Sequence, residues 1–291
     1  MDGKIVTLPV IGPVRMREAL RFSGKIMGAR VSRRADRWFI AIQVDGEFRR
    51  PTAHIREDAG VDVGITPAII VTDWPDIEAP KPLKKALKSL KRANRILHRR
   101  KKGSQNRKRA ARRLARIHQR VANIRKDFMH KHTTSLCREN QETGIEGSNV
   151  AGMMRNRKLA RALMDVGLGL FRQLMIYKAP IYGSETVVAD MFYPSSQLCS
   201  TPGCDYRHTE LKLSEREWTC PQCGVVHDRN RCAAENLRPS NQRRYPGLRG
   251  NQDLMRIQTP METSPSTDRS NPTARAVAEV GTKPCSPLST N

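Results

Sequence analysis

"TCPQCGVVHDRNRCAAENL", Thr219 to Leu237, holds a Cys-x-x-Cys knuckle, then His227-Asp228-Arg229-Asn230, then the start of a helical pattern. A second pair, Cys199 and Cys204, lies upstream, with four residues inside it and fifteen between the two pairs. Two close thiolate pairs on successive turns set four sulfurs in a tetrahedron, the geometry of a closed structural zinc site. Thr201-Pro202-Gly203 supplies the tight loop that the wider first spacing needs. With Cys199, Cys204, Cys220 and Cys223 all engaged, no coordination position stays open, so this zinc is not catalytic. His227 is a rival ligand by type, but its expected place is the surface or a phosphate contact.

The other three cysteines, Cys137, Cys232 and Cys285, stand alone. An odd total with two close pairs suits metal binding in a reducing cytosol better than a disulfide framework. Charge points to the partner. The 291 residues hold 53 Lys plus Arg against 28 Asp plus Glu, a formal net charge of +25. Such an excess calls for a polyanion, and nucleic acid is the usual one. No run of 18 apolar residues exists, which excludes a membrane-spanning helix. "MDGKIVTLPV" is no secretory signal, and the expected location is the bacterial cytoplasm, on the nucleoid when bound to DNA.

Upstream, residues 24–45 read as a β-hairpin around "RRADR", with Trp38, Ile40, Ile42 and Val44 alternating against Phe39, Ala41 and Gln43. A lone hairpin does not stand in water, so it implies a small β-barrel or sheet, of which part is expected to be missing. Gly60 to Trp74, "GVDVGITPAIIVTDW", gives a second hairpin with Asp62 inside an apolar strand. Ala79 to Lys126 carries no acidic residue. Leu83, Leu87, Leu90 and Leu97 mark one helical stripe there, and Leu114, Ile117, Val121 and Ile124 another, with Gly103-Ser104-Gln105-Asn106 as the break. Without acids for i,i+4 support, an arm along phosphate backbones is the better reading than a solvated helix pair. Its candidate contacts are Lys84, Lys85, Lys88, Lys91, Arg92, Arg95, Arg99, Arg100, Arg112, Arg113, Arg116 and Arg120. Leu159, Leu163, Val166, Leu170, Leu174 and Tyr177 form a helical core stripe, and "ETVVADMFYPSS" a strand and turn. Hairpin, helices and strand in this order predict a mixed α/β core. Past Leu237 the chain turns rich in Pro, Ser, Thr, Asn and Arg, which predicts a disordered tail.

"GVDVGI", the stretch from "IEGSNVAGMMRNRKLARALMDVG" to "KAPIYG", "MFYPSSQLCS", "LSEREWTCPQCGVVHDR" and "AAENL" occur in that order. Together they resemble the TnpB (OrfB) proteins of bacterial insertion sequences, relatives of type V CRISPR effectors, over about residues 4–238. The resemblance implies an RNase H-like (RuvC-type) α/β nuclease core with an inserted zinc ribbon, preceded by a partial β-barrel. The domains implied are the barrel remnant at 1–57, the core at 58–198 with the basic helical hairpin at 79–132, the ribbon at 199–224, the last core segment at 225–238 and the tail at 239–291. It also implies RNA-guided DNA endonucleases, with DNA and a transposon-derived guide RNA as partners. Three carboxylates would hold catalytic Mg²⁺. Carried over by position, the first is Asp62 and the second Glu146. The third acid of the family pattern Asp-Arg-Asp-x-Asn-Ala-Ala falls on Asn230 of "DRNRCAA", and the pattern's Asn on Cys232. Glu146 is flanked by Gly144 and Gly147, where a β-branched apolar strand is usual, an arrangement that weakens a strand. Three outcomes follow: a working nuclease with Asp228 or Glu235 as substitute ligand, a nuclease-dead guided binder or repressor, or an inactive truncated transposon copy.

Overall fold

The computed structural model describes residues 3–21, 23–46, 53–212, 214–242, 255–256 and 276–282. In chain order come β1 (Ile5–Leu8), β2 (Gly12–Arg15), β3 (Lys25–Arg34), β4 (Arg37–Asp45), β5 (Arg56–Asp62), β6 (Ile70–Val71), α1 (Pro82–His98) and α2 (Gln105–Glu139). Then follow β7 (Asn140–Ile145), α3 (Val150–Met153), α4 (Ala160–Val166), α5 (Leu168–Tyr182), β8 (Glu185–Val188), β9 (Glu217–Thr219) and β10 (Val226–Asp228). The last are α6 (Arg229–Leu237), α7 (Pro239–Gln242), β11 (Met255–Arg256) and β12 (Ala276–Thr282). Two compact units emerge, one from residues 1–49, 86–122 and 263–291, the other from 50–85 and 123–262.

In the first unit the expected hairpin is β3 and β4, antiparallel, with Arg34 opposite Arg37 across the turn. Its alternation is real: Ile40, Ile42 and Val44 are buried and pack with Val6 and Met16. Trp38 departs from the expected face. It stays about half exposed, and the Arg33 guanidinium lies 5.7 Å from its ring centre, an arrangement that favours a solvated cation–π pair over burial. β1 pairs with β2, and β12 adds a third strand beside β4.

The second unit is built on a mixed sheet in the order β11-β8-β7-β5-β6. β5, β7 and β8 run parallel, while β6 returns antiparallel to β5 as the hairpin pattern predicted. One face packs against the apolar side of α2, α4 and α5 through Ala59, Val61, Met129, Leu136, Ile145, Leu163, Phe171 and Met175. Within the predicted core stripe, Leu163, Val166 and Leu174 are buried, but Leu159 and Tyr177 are exposed, because the stripe is split by Gly167 at φ 88° between α4 and α5. The glycine-flanked second segment does form a strand, β7. Among the described residues of 239–291, α7 forms and the backbone of β11 and β12 pairs with β8 and β4. The rest of the tail lies outside the described residues.

The acid-free helices form as expected, broken at Gly103 with φ 84°. α2 runs on to Glu139, beyond the predicted hairpin end at 132. α1 has no acid in its first turn, so its exposed N–H groups need an anion from elsewhere. Buried Asp165 of α4 supplies it, accepting the Leu83 N–H at 2.8 Å and the Lys84 N–H at 2.9 Å.

Candidate metal and nucleic-acid site

Parallel pairing of β5 with β7 sets Val61 beside Ile145. The next residue of each strand is Asp62 and Glu146, so the two carboxylates leave the sheet side by side, one strand spacing apart and on one face. Asp62 and Glu146 are both only partly exposed. Burial and the neighbouring Glu146 charge push the Asp62 carboxyl up to about 7, and burial also raises Glu146. Asp228 adds a smaller repulsion at Asp62, and Arg229 a partial relief.

The third segment reaches this face through glycine. Gly60 and Gly144 share the face of Asp62 and Glu146, two residues back on each strand. A Cβ on Gly60 would fall well inside contact distance of the Ala234 carbonyl, and one on Gly144 inside that of Leu237. α6 therefore lies backbone to backbone on the sheet. Here is the reason for the glycine that a strand pattern disfavours: Gly144 makes room for the helix. Gly147 plays the same part toward the Ala189 carbonyl. Arg231 and Arg238 pin α6 from its side. Arg231 donates to the Val71 and Trp74 carbonyls and to Asp76, and Arg238 bonds Asp73.

Asn230 sits in the first turn of α6, partly buried. Asp228 is the N-cap of the same helix, accepting the Arg231 N–H at 2.8 Å. Glu235 is turned to other work. Its carboxylate lies 3.5 Å from Arg238, and its electrostatic neighbours are Arg238, Asp73, Arg231 and Asp58.

The four predicted cysteines converge. All four sulfurs lie within 4.8 Å of one another, with Cys199–Cys223 and Cys204–Cys220 both at 3.6 Å. Sulfurs on a tetrahedron around zinc, at ~2.3 Å from the ion, stand about 3.8 Å apart, so the cluster fits that ion. The sequence reason is local. Gly203 and Gly224 take φ 80° and 74°, turning the chain back after each loop. Gly224 N–H closes the second knuckle on the Cys220 carbonyl at 2.8 Å. Burial pushes the Cys199 thiol up to about 12, a cost that a cation on the thiolate would remove. His227 is not at the surface. It is buried, with Nε2 3.1 Å from the Cys199 sulfur and its ring 4.8 Å from that of Trp218. Cys232 packs below the cluster, its thiol 2.9 Å from the Leu198 carbonyl.

The basic arm residues Lys84, Lys85, Lys88, Lys91, Arg92, Arg95, Arg99, Arg100, Arg112, Arg113, Arg116 and Arg120 are all exposed. Arg116 is engaged with Asp36 at 2.5 Å and is the least free of them. Sequence reasoning missed Asp165, whose partner segment lies over eighty residues away, and the apolar pair Met191-Phe192 beside the carboxylates. An acid-free helix start was the one available signal for the first. No described helix is long and apolar enough to cross a membrane.

The "Probable transposase" model OrfB_IS605 matches residues 39–157, and the "Cas12f1-like, TNB domain" model matches 169–237. A "Putative RNA-guided DNA endonuclease" of Streptomyces pristinaespiralis is 41% identical over 204 residues, 70% of this chain and 50% of that protein. One from Mycobacterium tuberculosis is 32% identical over 257 residues, 81% of this chain and 55% of its own length. The chain thus spans about half the length of these curated relatives. The Cas12f1–sgRNA–target DNA complex aligns with a TM-score of 0.45 at 14% identity, over 72% of this chain and 55% of that one.

Proposed function

The chain belongs to the TnpB (OrfB) family, and from that premise we propose that it is an RNA-guided DNA-binding protein whose cleavage centre has been disarmed at one ligand. The partners are DNA and a transposon-derived guide RNA, gripped by the basic arm. The core is RNase H-like, a reading supported by the order β8-β7-β5-β6 with only β6 antiparallel. Zn²⁺ closes the four-sulfur cluster as a structural ion. Asp62 and Glu146 would hold Mg²⁺, which when bound supplies a Lewis acid and an acidified water.

The observation that carries the reading is Asn230. α6 is seated on Gly60 and Gly144, and its first turn carries an amide, Asn230, at the position where the family pattern has the third acid. Replacing the acid removes one negative charge from a hard-cation site that depends on anionic oxygen. Binding needs only the basic surface, so it survives. The test is Asn230→Asp, assayed with guide RNA and a matching duplex in Mg²⁺. The variant should cut at least ~100-fold faster than the parent, about 3 kcal/mol of transition-state stabilisation. Equal rates would refute the disarmed centre.

A second reading keeps cleavage and gives the third place to Asp228, whose charge is felt at Asp62. Asp228→Ser separates the two, because Ser retains the helix cap and cannot act as an anionic ligand. Loss of an existing parental cutting activity in that variant would favour this second reading.

A further inference from the structure

β8 ends beside the carboxylate pair. The Ala189 N–H donates to the Ile145 carbonyl at 2.8 Å, extending the parallel pairing by one residue. The chain then enters a tight loop, Asp190 to Tyr193, directly against Gly147, whose missing Cβ would lie 3.3 Å from the Met191 nitrogen. The loop is built rather than slack. The Asp190 carboxylate accepts the Phe192 N–H at 2.8 Å, the Tyr193 N–H returns to the Asp190 carbonyl at 3.1 Å, and the Tyr193 hydroxyl donates to the Asn236 carbonyl at 3.1 Å. What this frame holds out is apolar: Met191 is 49% exposed and Phe192 82%.

An exposed phenylalanine and methionine in sequence have no role in the fold's own core. Their place narrows the ligand. They stand at the carboxyl ends of three parallel strands, where open α/β sheets take their ligands. Shortly after Glu146 in the chain, the segment between α3 and α4 exposes Arg155, Arg157 and Lys158. A ligand that meets cations, a carboxylate pair fit for a metal ion and an aromatic face is a polyanion with flat apolar faces. An unpaired stretch of nucleic acid has that chemistry, because its phosphates and its bases are separate surfaces.

We propose that Phe192, supported by Met191, is a stacking platform for an unpaired base of the DNA strand that enters the Asp62–Glu146 site. The inference rests on the nucleic-acid-binding reading above. It needs no cleavage, and base stacking on an aromatic ring tolerates every base.

The experiment uses the full zinc-loaded chain, without added Mg²⁺ to prevent cutting, with a single-stranded oligothymidylate as probe. Phe192→Ala should weaken binding by about tenfold, while a fully paired duplex of equal length should bind parent and variant alike. Phe192→Trp should restore affinity, and its fluorescence should be quenched as the oligonucleotide binds. Unchanged affinity in Phe192→Ala, or no quenching in Phe192→Trp, would overturn the platform. A loss confined to an RNA oligonucleotide would overturn its assignment to DNA. If the parent binds neither strand, the nucleic-acid reading itself fails, which is a different outcome.

Discussion

Two ligand clusters in one unit make an instructive pair. The sulfur cluster is assembled from short loops, Cys199 to Cys204 and Cys220 to Cys223, each turned by its own glycine. The carboxylate pair is assembled from two strand ends, residues 62 and 146, which meet only once the sheet is paired, and on the proposed reading the helix start at residue 230 completes the site. The first is closed and complete. In the second, burial raises both carboxyls and the Glu146 charge raises Asp62 further, and on the proposed reading the site is one charge short. Local assembly makes a site robust to drift elsewhere. Assembly from distant segments leaves each ligand replaceable without loss of the fold.

The contrast breaks first at the sulfurs. Removing zinc with a strong chelator, or substituting Cys220→Ser, should remove on the order of 10 kcal/mol of local folding free energy. Metal analysis should find about one zinc per chain before and none after. Because β10 runs straight into α6, the proteolytic resistance of residues 229–237 should fall with it. A metal-free preparation with an unchanged melting curve would end the structural-zinc reading.

Next in size is the helix bed. Gly144→Ala should destabilise by about 3 kcal/mol in urea, because backbone on both sides must separate. Gly103→Ala, with open space around its Cβ, should cost only the strain of its positive φ, about 1 kcal/mol.

A smaller effect tests the carboxylates. The folded Asp62 carboxyl sits at about 7, above its ordinary value near 3.8, so folding favours the protonated form. The sign then runs against the usual acidic residue: stability is greatest below about 4 and falls as pH rises through 7. Asp62→Asn should therefore stabilise the metal-free protein at pH 8 by roughly 2 kcal/mol, after allowing for water at the strand end, and do almost nothing at pH 4. Equal effects at both pH values would contradict the repulsion described. Added Mg²⁺ should narrow the gap at pH 8.

The arm gives the gentlest slope. Replacing Arg99, Arg100, Arg112 and Arg113 by Ala should lower the dependence of log affinity on log salt by about 3.6, at ~0.9 per phosphate contact. An unchanged slope would return the arm to a solvated helix pair.

What was legible in the sequence follows the same division. Spacing alone announced the four cysteines, and alternation announced both hairpins and the place of Asp62. Local pattern could not show why Gly144 stands in a strand, because the reason is the Leu237 carbonyl some ninety positions away. Nor could it show that His227 is buried against Cys199 and Trp218, since the ring position depends on the closed ribbon. The exposed Phe192 looked like part of an ordinary strand end. Its meaning comes from the neighbouring strand.

The seating of α6 on Gly60 and Gly144 has one more consequence. The helix is registered by main-chain atoms, which point substitutions at surface positions do not alter. On the proposed reading, the chain still carries the mould in which a third acid would sit. Asn and Asp codons differ by a single base, so a gene of that kind would stand one transition away from a complete ligand set, and its silence would be a reversible state of the lineage.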